Sequence, residues 1–248
     1  MEIEGKKIIV TGGANGIGKS LVLKLMEQKA IVGVFDIDHD ALREMKDENP
    51  SIFYKVCDLS EDSQAEKAVN DFFNKFSSID VLVNNAGILS DFALIKLFGS
   101  IKKHDVDIWN KVIATNLSSV FYMTRHVVDK MFKKRTKGLI INVSSISAEG
   151  EAGQTAYSAS KAGVNALTKT WAKELSPLGI RVAGIAPGLT KTKMVFEAMN
   201  EKIIADWVNK IPLKRMANAS EIADGIIFII KNDYFNGKIL EIDGGLKI

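Results

Sequence analysis

A tyrosine and a lysine separated by three residues, Tyr157 and Lys161, could form an acid/base pair. Residues four apart on a helix lie on the same side, so the phenol and the ammonium would stand close together. A free phenol has a pKa of about 10 and is a poor acid or base at neutral pH, whereas a neighbouring cation lowers that pKa. The same spacing occurs in ordinary solvated pairs on helices, so the rest of the chain must decide between the two interpretations.

The elements that would position this pair alternate between strand and helix. Short apolar runs predict strands at 7–11, 31–35, 53–56, 81–84, 139–143, 181–185 and 238–242. Helical spacing of apolar residues predicts helices at 19–28, 40–48, 63–76, 109–132, 157–175 and 219–230. Such alternation implies right-handed crossovers and a parallel sheet covered on both faces. We therefore expect an α/β fold of the single-domain Rossmann type, a doubly wound parallel sheet with helices on both faces.

The amino-acid composition limits the classes of protein to which this chain could belong. The 248 residues, 46% of them hydrophobic, suffice for one large α/β domain, and no low-complexity or proline-rich linker divides residues 1–248. No apolar stretch resembles a signal peptide or a membrane span, so we expect a soluble, cytoplasmic protein with no membrane partner. A net charge of +3 with interspersed signs argues against nucleic acid as a partner; the densest basic run, 133–137, falls where a helix should end.

Cysteine and histidine usage bears on metals and redox state. Cys57 is the single cysteine, which excludes an internal disulfide. His39, His104 and His126 lie far apart without the spacing of metal ligands. We predict no metal site.

A glycine-rich turn follows the first predicted strand and precedes the first helix. In TGGANGIG (11–18), Gly12 would permit the tight turn, Gly16 would let the backbone approach a pyrophosphate, and Gly18 would let the helix pack on the strand. Asp36 ends the second strand, where a carboxylate accepts hydrogen bonds from the adenosine ribose and repels a 2′-phosphate. No arginine lies beside the turn or just after Asp36, so the sequence favours NAD over NADP as cofactor.

Together these motifs resemble the short-chain dehydrogenase/reductase family in its single-domain form. The resemblance covers essentially the whole chain in the right order and is carried by the glycine turn, Asp58, NNAG at 84–87, Asn116, the pair Ser144 and Ser145, Tyr157 with Lys161, and Pro187 with Gly188. Within the family, the stretches GQTAYSASKAGV, WAKELSPLGIRV and NGKILEIDGG look most like the 3-oxoacyl-thioester (acyl-carrier-protein) reductases.

The resemblance implies a role for each matching residue. Tyr157 would be the acid/base, Lys161 would hold the nicotinamide ribose and lower the tyrosine pKa, and Asn116 would steady a water in the proton relay. Asp58 would bind the adenine amino group. The residues expected to bind the cofactor are Gly12, Asn15, Gly16, Ile17, Gly18, Asp36, Asp58, Leu59, Asn85, Ala86, Gly87, Tyr157, Lys161, Pro187, Gly188, Thr190 and Thr192.

The serine that would hold the substrate oxygen has two candidates. The family's usual spacing to the tyrosine favours Ser144, whereas the position at the strand end favours Ser145 if the loop 146–154 is one residue shorter than usual. A loop deletion leaves the strand end undisturbed, so we favour Ser145 and keep Ser144 as the alternative.

The implied activity is NAD(H)-dependent hydride transfer between nicotinamide and a carbonyl or secondary alcohol, with a small-molecule substrate that could be an acyl thioester. Another 3-hydroxyacyl or secondary-alcohol dehydrogenase is the alternative, and a non-catalytic NADH sensor is the alternative from a different class. By resemblance we expect a homotetramer, with a dimer as the alternative.

Two segments should border the substrate. Residues at about 189–212 would form a lid whose apolar members, Met194, Phe196, Met199 and Trp207, suit a substrate with hydrocarbon or else form ordinary helix core. An insertion around 97–105 departs from the family pattern, and Gly99 and Ser100 could form a hairpin tip there. We hypothesise that this insertion narrows access to the cleft or touches a neighbouring subunit.

Overall fold

The computed structural model describes residues 1–90, 92–96 and 101–246. Its strands are β1 Lys7–Thr11, β2 Ile31–Asp36, β3 Phe53–Val56, β4 Val81–Asn84, β5 Ile95–Lys96, β6 Lys102–Lys103, β7 Leu139–Val143, β8 Arg181–Pro187, β9 Thr190–Lys191, β10 Ala217–Asn218 and β11 Ile239–Ile242. Its α-helices are α1 Gly16–Glu27, α2 His39–Glu48, α3 Asp62–Phe76, α4 Val106–Ile113, α5 Ser119–Lys134, α6 Thr155–Leu175, α7 Lys193–Ala198, α8 Glu201–Lys210 and α9 Ala219–Lys231.

In the described residues, seven strands form one parallel sheet in the order β11, β8, β7, β4, β1, β2, β3. Alternate side chains of β1 show how both faces are covered. Ile8 and Val10 belong to the apolar core that includes α1, α2 and α9, whereas Ile9 belongs to the core that includes α3 and α5. The predicted fold class, a doubly wound parallel sheet in a single α/β domain, is confirmed.

Buried amides fix the two central strands to the helices behind them. The Asn84 side-chain amide donates to Thr124 Oγ1 on α5 (3.0 Å) and to Asn142 Oδ1 on β7 (2.9 Å). Asn142 in turn donates to Thr168 Oγ1 on α6 at 2.9 Å. Buried polar groups that are paired in this way specify one arrangement of the elements. This series of hydrogen bonds fixes the positions of the ends of β4 and β7, which carry the candidate site.

The predicted helix over 109–132 is divided. Between α4 and α5 lies a π-helical turn, Ala114–Ser118, which adds a residue to the helical repeat. Asn116 lies in this turn and is fully buried. The interruption is invisible to a periodicity argument because the apolar spacing continues on both sides of it.

The insertion begins as the predicted hairpin. β5 and β6 pair antiparallel, Ile95 with Lys103 and Lys96 with Lys102. At the base of this arm the His104 N–H donates to the Leu94 carbonyl (2.9 Å), and the rings of Phe92 and His104 stack 4.6 Å apart. The predicted tip, Gly99 and Ser100, lies outside the described residues.

Candidate active site

A cavity of about 680 Å³ lies at the carboxyl edge of the sheet. Strand order reverses there, because β1 sits between β2 and β4, and open α/β sheets bind ligands at such a crevice. Every predicted site residue lines the cavity except Gly18 and Asn116. Ser144, the alternative serine, also lines it. The predicted residues at its wall are Gly12, Asn15, Gly16, Ile17, Asp36, Asp58, Leu59, Asn85, Ala86, Gly87, Ser145, Tyr157, Lys161, Pro187, Gly188, Thr190 and Thr192.

The glycine turn is shaped as a cradle for a ligand backbone. Gly12 and Gly16 have φ of +60° and +54°, which side chains disfavour. A Cβ on Gly12 would lie 2.7 Å from Ala86 Cα, and one on Gly18 would lie 2.1 Å from the Gly12 carbonyl oxygen. Gly18 therefore lies behind the cavity wall, where the absence of a side chain lets α1 pack against the turn. These features fit the pyrophosphate of a dinucleotide at the start of α1.

Two carboxylates stand at one end of the cavity. Asp36 accepts hydrogen bonds from the N–H groups of Ala14 (2.9 Å) and Asp38 (3.1 Å). Asp38, which the sequence analysis missed, also lines the cavity and caps α2 by accepting from the Ala41 N–H at 3.1 Å. That hydrogen bond, with one from Asn15, lowers the pKa of Asp38. Its place just before a predicted helix was the available signal, since aspartate is a preferred N-cap.

Beyond these carboxylates, the end of β3 supplies Asp58, whose Oδ1 accepts from the Ser60 N–H (2.9 Å) and hydroxyl (2.7 Å). Cys57 beside it is 7% exposed, and burial together with the charges of Asp36 and Asp58 raises the pKa of its thiol to about 12. The thiol is thus protonated at neutral pH and unreactive.

At the other end, the tyrosine and the serine meet. The side chain of Tyr157, on the first turn of α6, is hydrogen-bonded to that of Ser145. The Ser145 Oγ also accepts from the Ser147 N–H at 3.1 Å, which fixes its orientation. The Ser144 hydroxyl instead donates to the Lys161 carbonyl (3.2 Å). Geometry thus pairs Ser145, not Ser144, with the tyrosine.

Lys161 lies on the same side of α6 as Tyr157, with its Nζ 5.7 Å from the centre of the phenol ring. It is 4% exposed, and its Nζ donates to the Val143 carbonyl at 2.9 Å. Burial lowers the pKa of this ammonium to about 8. The amine therefore lies at the end of β7 and is hydrogen-bonded to the strand that directly precedes the two serines.

The implied lowering of the Tyr157 pKa by Lys161 stays a prediction, and burial acts on that pKa in the opposite direction. Burial raises the pKa of Tyr157, and the hydrogen bond with Ser145 offsets this only in part. Burial disfavours the charged phenolate, and it depends on tertiary packing and not on sequence spacing.

Asn116 is hydrogen-bonded to the segment that follows β4. Its Oδ1 accepts from the Ile88 N–H (2.8 Å), and its Nδ2 donates to the Ile88 carbonyl (2.9 Å) and to Ser160 Oγ (3.3 Å). A Cβ on Gly87 would lie 3.2 Å from Asn116 Oδ1 and 3.6 Å from the Lys161 Nζ. The asparagine, the glycine and the lysine therefore share one corner.

The segment after β8 forms the remaining wall. The Gly188 N–H donates to Ile242 O (2.9 Å), and the Thr190 hydroxyl donates to Gly188 O (2.9 Å). Of the apolar residues predicted to suit a substrate, Met194 lines the cavity. Met199 and Trp207 pack instead in a small separate core around Val195 and Ile211, and Phe196 is 57% exposed.

The comparisons with known proteins agree with this arrangement. Residues 6–202 match the family model described as short chain dehydrogenase. The chain belongs to the short-chain dehydrogenase family, as predicted, and is an oxidoreductase acting on a CH–OH group.

Among curated relatives, the chain is 40% identical to the 3-oxoacyl-[acyl-carrier-protein] reductase FabG of Thermotoga maritima, over 100% of both chains. It is 36% identical to the protein of the same name from Chlamydia pneumoniae, over 98% of this chain and 97% of that one. Among solved structures, the crystal structure of gox2181 superposes with a TM-score of 0.88 at 27% identity, covering 98% of this chain and 96% of the other. The predicted likeness to 3-oxoacyl reductases is confirmed.

Within 1–90, 92–96 and 101–246, none of the helices combines the length and apolar character that crossing a membrane requires. In the same ranges, no group of three or more His, Cys, Asp or Glu side chains could hold a metal ion.

Proposed function

We propose that this protein is an NADH-dependent reductase of 3-oxoacyl thioesters. The observation that carries the proposal is the hydrogen bond between the side chains of Ser145 and Tyr157 in a cavity that also contains Lys161. The names of the curated relatives, 3-oxoacyl-[acyl-carrier-protein] reductases, support the substrate class.

In this proposal Ser145 holds the substrate carbonyl oxygen and Tyr157 donates a proton to it. Nicotinamide, when bound, supplies the hydride. Lys161 and Asn116 then connect the tyrosine to a proton source, and the ammonium offsets negative charge that develops on the phenol. The phenol of Tyr157 is protonated at neutral pH, as a proton donor in this direction must be.

The cofactor preference is proposed to be NAD. Two carboxylates, Asp36 and Asp38, line the end of the cavity where an adenosine ribose would lie. Their charges would accept hydrogen bonds from ribose hydroxyls and repel a 2′-phosphate.

The lid and the assembly are further parts of the proposal. Residues 189–212, with Met194 at the cavity, would close over the acyl group. An apolar groove between α5 and α6 supports assembly into a homotetramer, or a dimer, through these helices. It is lined by Leu117, Phe121, Tyr122, Gly163, Ala166 and Leu167. We keep the cytoplasm as the proposed location.

A direct assay tests the activity. Purified protein mixed with NADH and acetoacetyl-coenzyme A should consume NADH, followed at 340 nm, about tenfold or more faster than it consumes NADPH. Tyr157→Phe should abolish turnover while NADH binding persists. Tyr234→Phe, at a fully exposed tyrosine, is the matched control and should leave turnover unchanged.

The same assay separates the alternatives. Turnover with simple secondary alcohols but none with the thioester would favour another secondary-alcohol dehydrogenase. NADH binding without turnover of any carbonyl would favour a sensor, although such a protein has no need of a paired tyrosine and lysine. Full activity in Tyr157→Phe would contradict the assigned acid.

A further inference from the structure

Three lysines line the cavity, and they differ in the interaction partners that their amines have within the protein. Lys161 is buried and bound to the Val143 carbonyl. Lys111 lies on α4 and is exposed. Lys193 is the first residue of α7, and its side chain is 66% exposed. No arginine lines the described part of the cavity, so positive charge at its outer wall must come from Lys111 or Lys193.

Lys193 is held over the glycine turn by its neighbour. The side chain of Thr192 approaches Gly16 so closely that a Cβ on the glycine would meet Thr192 Cγ2 at 3.1 Å. The start of α7 therefore covers the start of α1, where a dinucleotide places its pyrophosphate. Because Lys193 follows directly and lines the same cavity, its flexible side chain is within reach of that position.

Lys193 acts on two carboxylates of the protein, Asp38 and Glu197. Its charge lowers the pKa of Asp38, though less than the hydrogen bonds from Ala41 and Asn15 do. Its ion pair with Glu197, one turn along α7, spans 3.9 Å between two side chains that are each 66% exposed. Exposed pairs of this kind hold an amine only weakly. A cation on the first turn of a helix is also unfavourable for the helix, so the lysine does not serve α7. The amine therefore stays available to a phosphate anion in the cavity.

We propose that Lys193 binds the pyrophosphate of the nicotinamide dinucleotide, opposite Gly16, and so ties the lid to the bound cofactor. The inference rests on the proposed dinucleotide binding. It also gives the cavity a counter-charge: Asp36, Asp38 and Asp58 all line the adenosine end, and a dianionic ligand entering beside three carboxylates needs a cation nearby.

Equilibrium titration of three probes with the full chain tests the proposal without any turnover. NADH and ADP-ribose contain the pyrophosphate, whereas adenosine does not. Lys193→Met should weaken NADH and ADP-ribose by about tenfold, the loss expected for one charge-assisted hydrogen bond, and leave adenosine unchanged. Lys193→Arg should restore most of the affinity. Lys191→Met removes an exposed lysine two residues away and should bind all three probes normally.

The outcomes are distinct. Unchanged ADP-ribose affinity in Lys193→Met overturns the proposal, and so does an equal loss for adenosine, which would mean that the lysine supports the nucleoside pocket. A loss confined to NADPH, titrated as a fourth probe, would assign Lys193 to a 2′-phosphate and also overturn the proposal. If the wild-type chain binds neither NADH nor ADP-ribose, the proposed function fails instead.

Discussion

Lys161 carries an energetic cost that should be measurable as pH-dependent stability. It is a buried ammonium with one hydrogen bond, from its Nζ to the Val143 carbonyl. Replacing it in Lys161→Met removes a charge that disfavours folding but leaves the carbonyl without its donor, which costs about 1–3 kcal/mol. At pH 7 these effects oppose each other, so the stability difference there says little. The pH dependence of the difference is the diagnostic quantity.

Its magnitude follows from the pKa of Lys161, lowered from 10.5 to about 8 by burial. Between those values the unfolded chain binds more protons at this site than the folded chain, so the free energy of unfolding rises with pH. Well below pH 8 both states hold the proton, and the contribution is constant. Between pH 7 and pH 10 the wild type should gain about 2.5 kcal/mol relative to Lys161→Met.

Urea unfolding at pH 7, 8, 9 and 10 would measure this gain. Lys169→Met, at an exposed lysine on the same helix, is the control and should follow the wild type. Wild-type and Lys161→Met curves that stay parallel across this range would refute the reasoning. They would mean that the ammonium is solvated in the folded protein and keeps its ordinary pKa.

Three further predictions concern the cavity. Asp36→Ala should relax discrimination against NADPH, shifting the ratio of NADPH to NADH dissociation constants by about tenfold; an unchanged ratio would contradict the role of that carboxylate. Gly18→Ala should lower the free energy of unfolding by about 1–3 kcal/mol in a denaturation assay, because the new Cβ would meet the Gly12 carbonyl oxygen, and an unchanged free energy would contradict this close packing. Since the pKa of Cys57 is raised to about 12, iodoacetamide at pH 8 should not label the native thiol within hours by mass spectrometry, and rapid labelling would show that it is exposed.

The fold was predictable because its signals are local. Most strands of the main sheet are short runs rich in apolar residues, and the predicted bounds of β1, β3, β4 and β7 agree with the observed ones. The order of motifs along the chain then indicated which strand ends would meet. These properties depend on neighbouring residues and on the rules of parallel sheets, both of which can be read without coordinates.

Several of the unpredicted features have no signal in local sequence. The raised pKa of Tyr157 follows from burial by several elements, and the division of the helix at Ala114–Ser118 leaves the apolar spacing intact. The sequence left Ser144 and Ser145 as alternatives because a loop length and a strand end disagreed. Only the directions of their hydroxyls distinguish them, and their catalytic roles stay predictions.

The closure at the base of the β5–β6 arm has an evolutionary consequence. Since Leu94 and His104 are joined by a backbone hydrogen bond, the chain leaves and returns at one point just ahead of α4. Residues can be added or removed between Leu94 and His104 without changing where α4 starts, and lengthening a closed loop costs little entropy. The arm is therefore a natural site for insertions and deletions, where the surface can diversify or accept an engineered graft while the sheet stays unchanged.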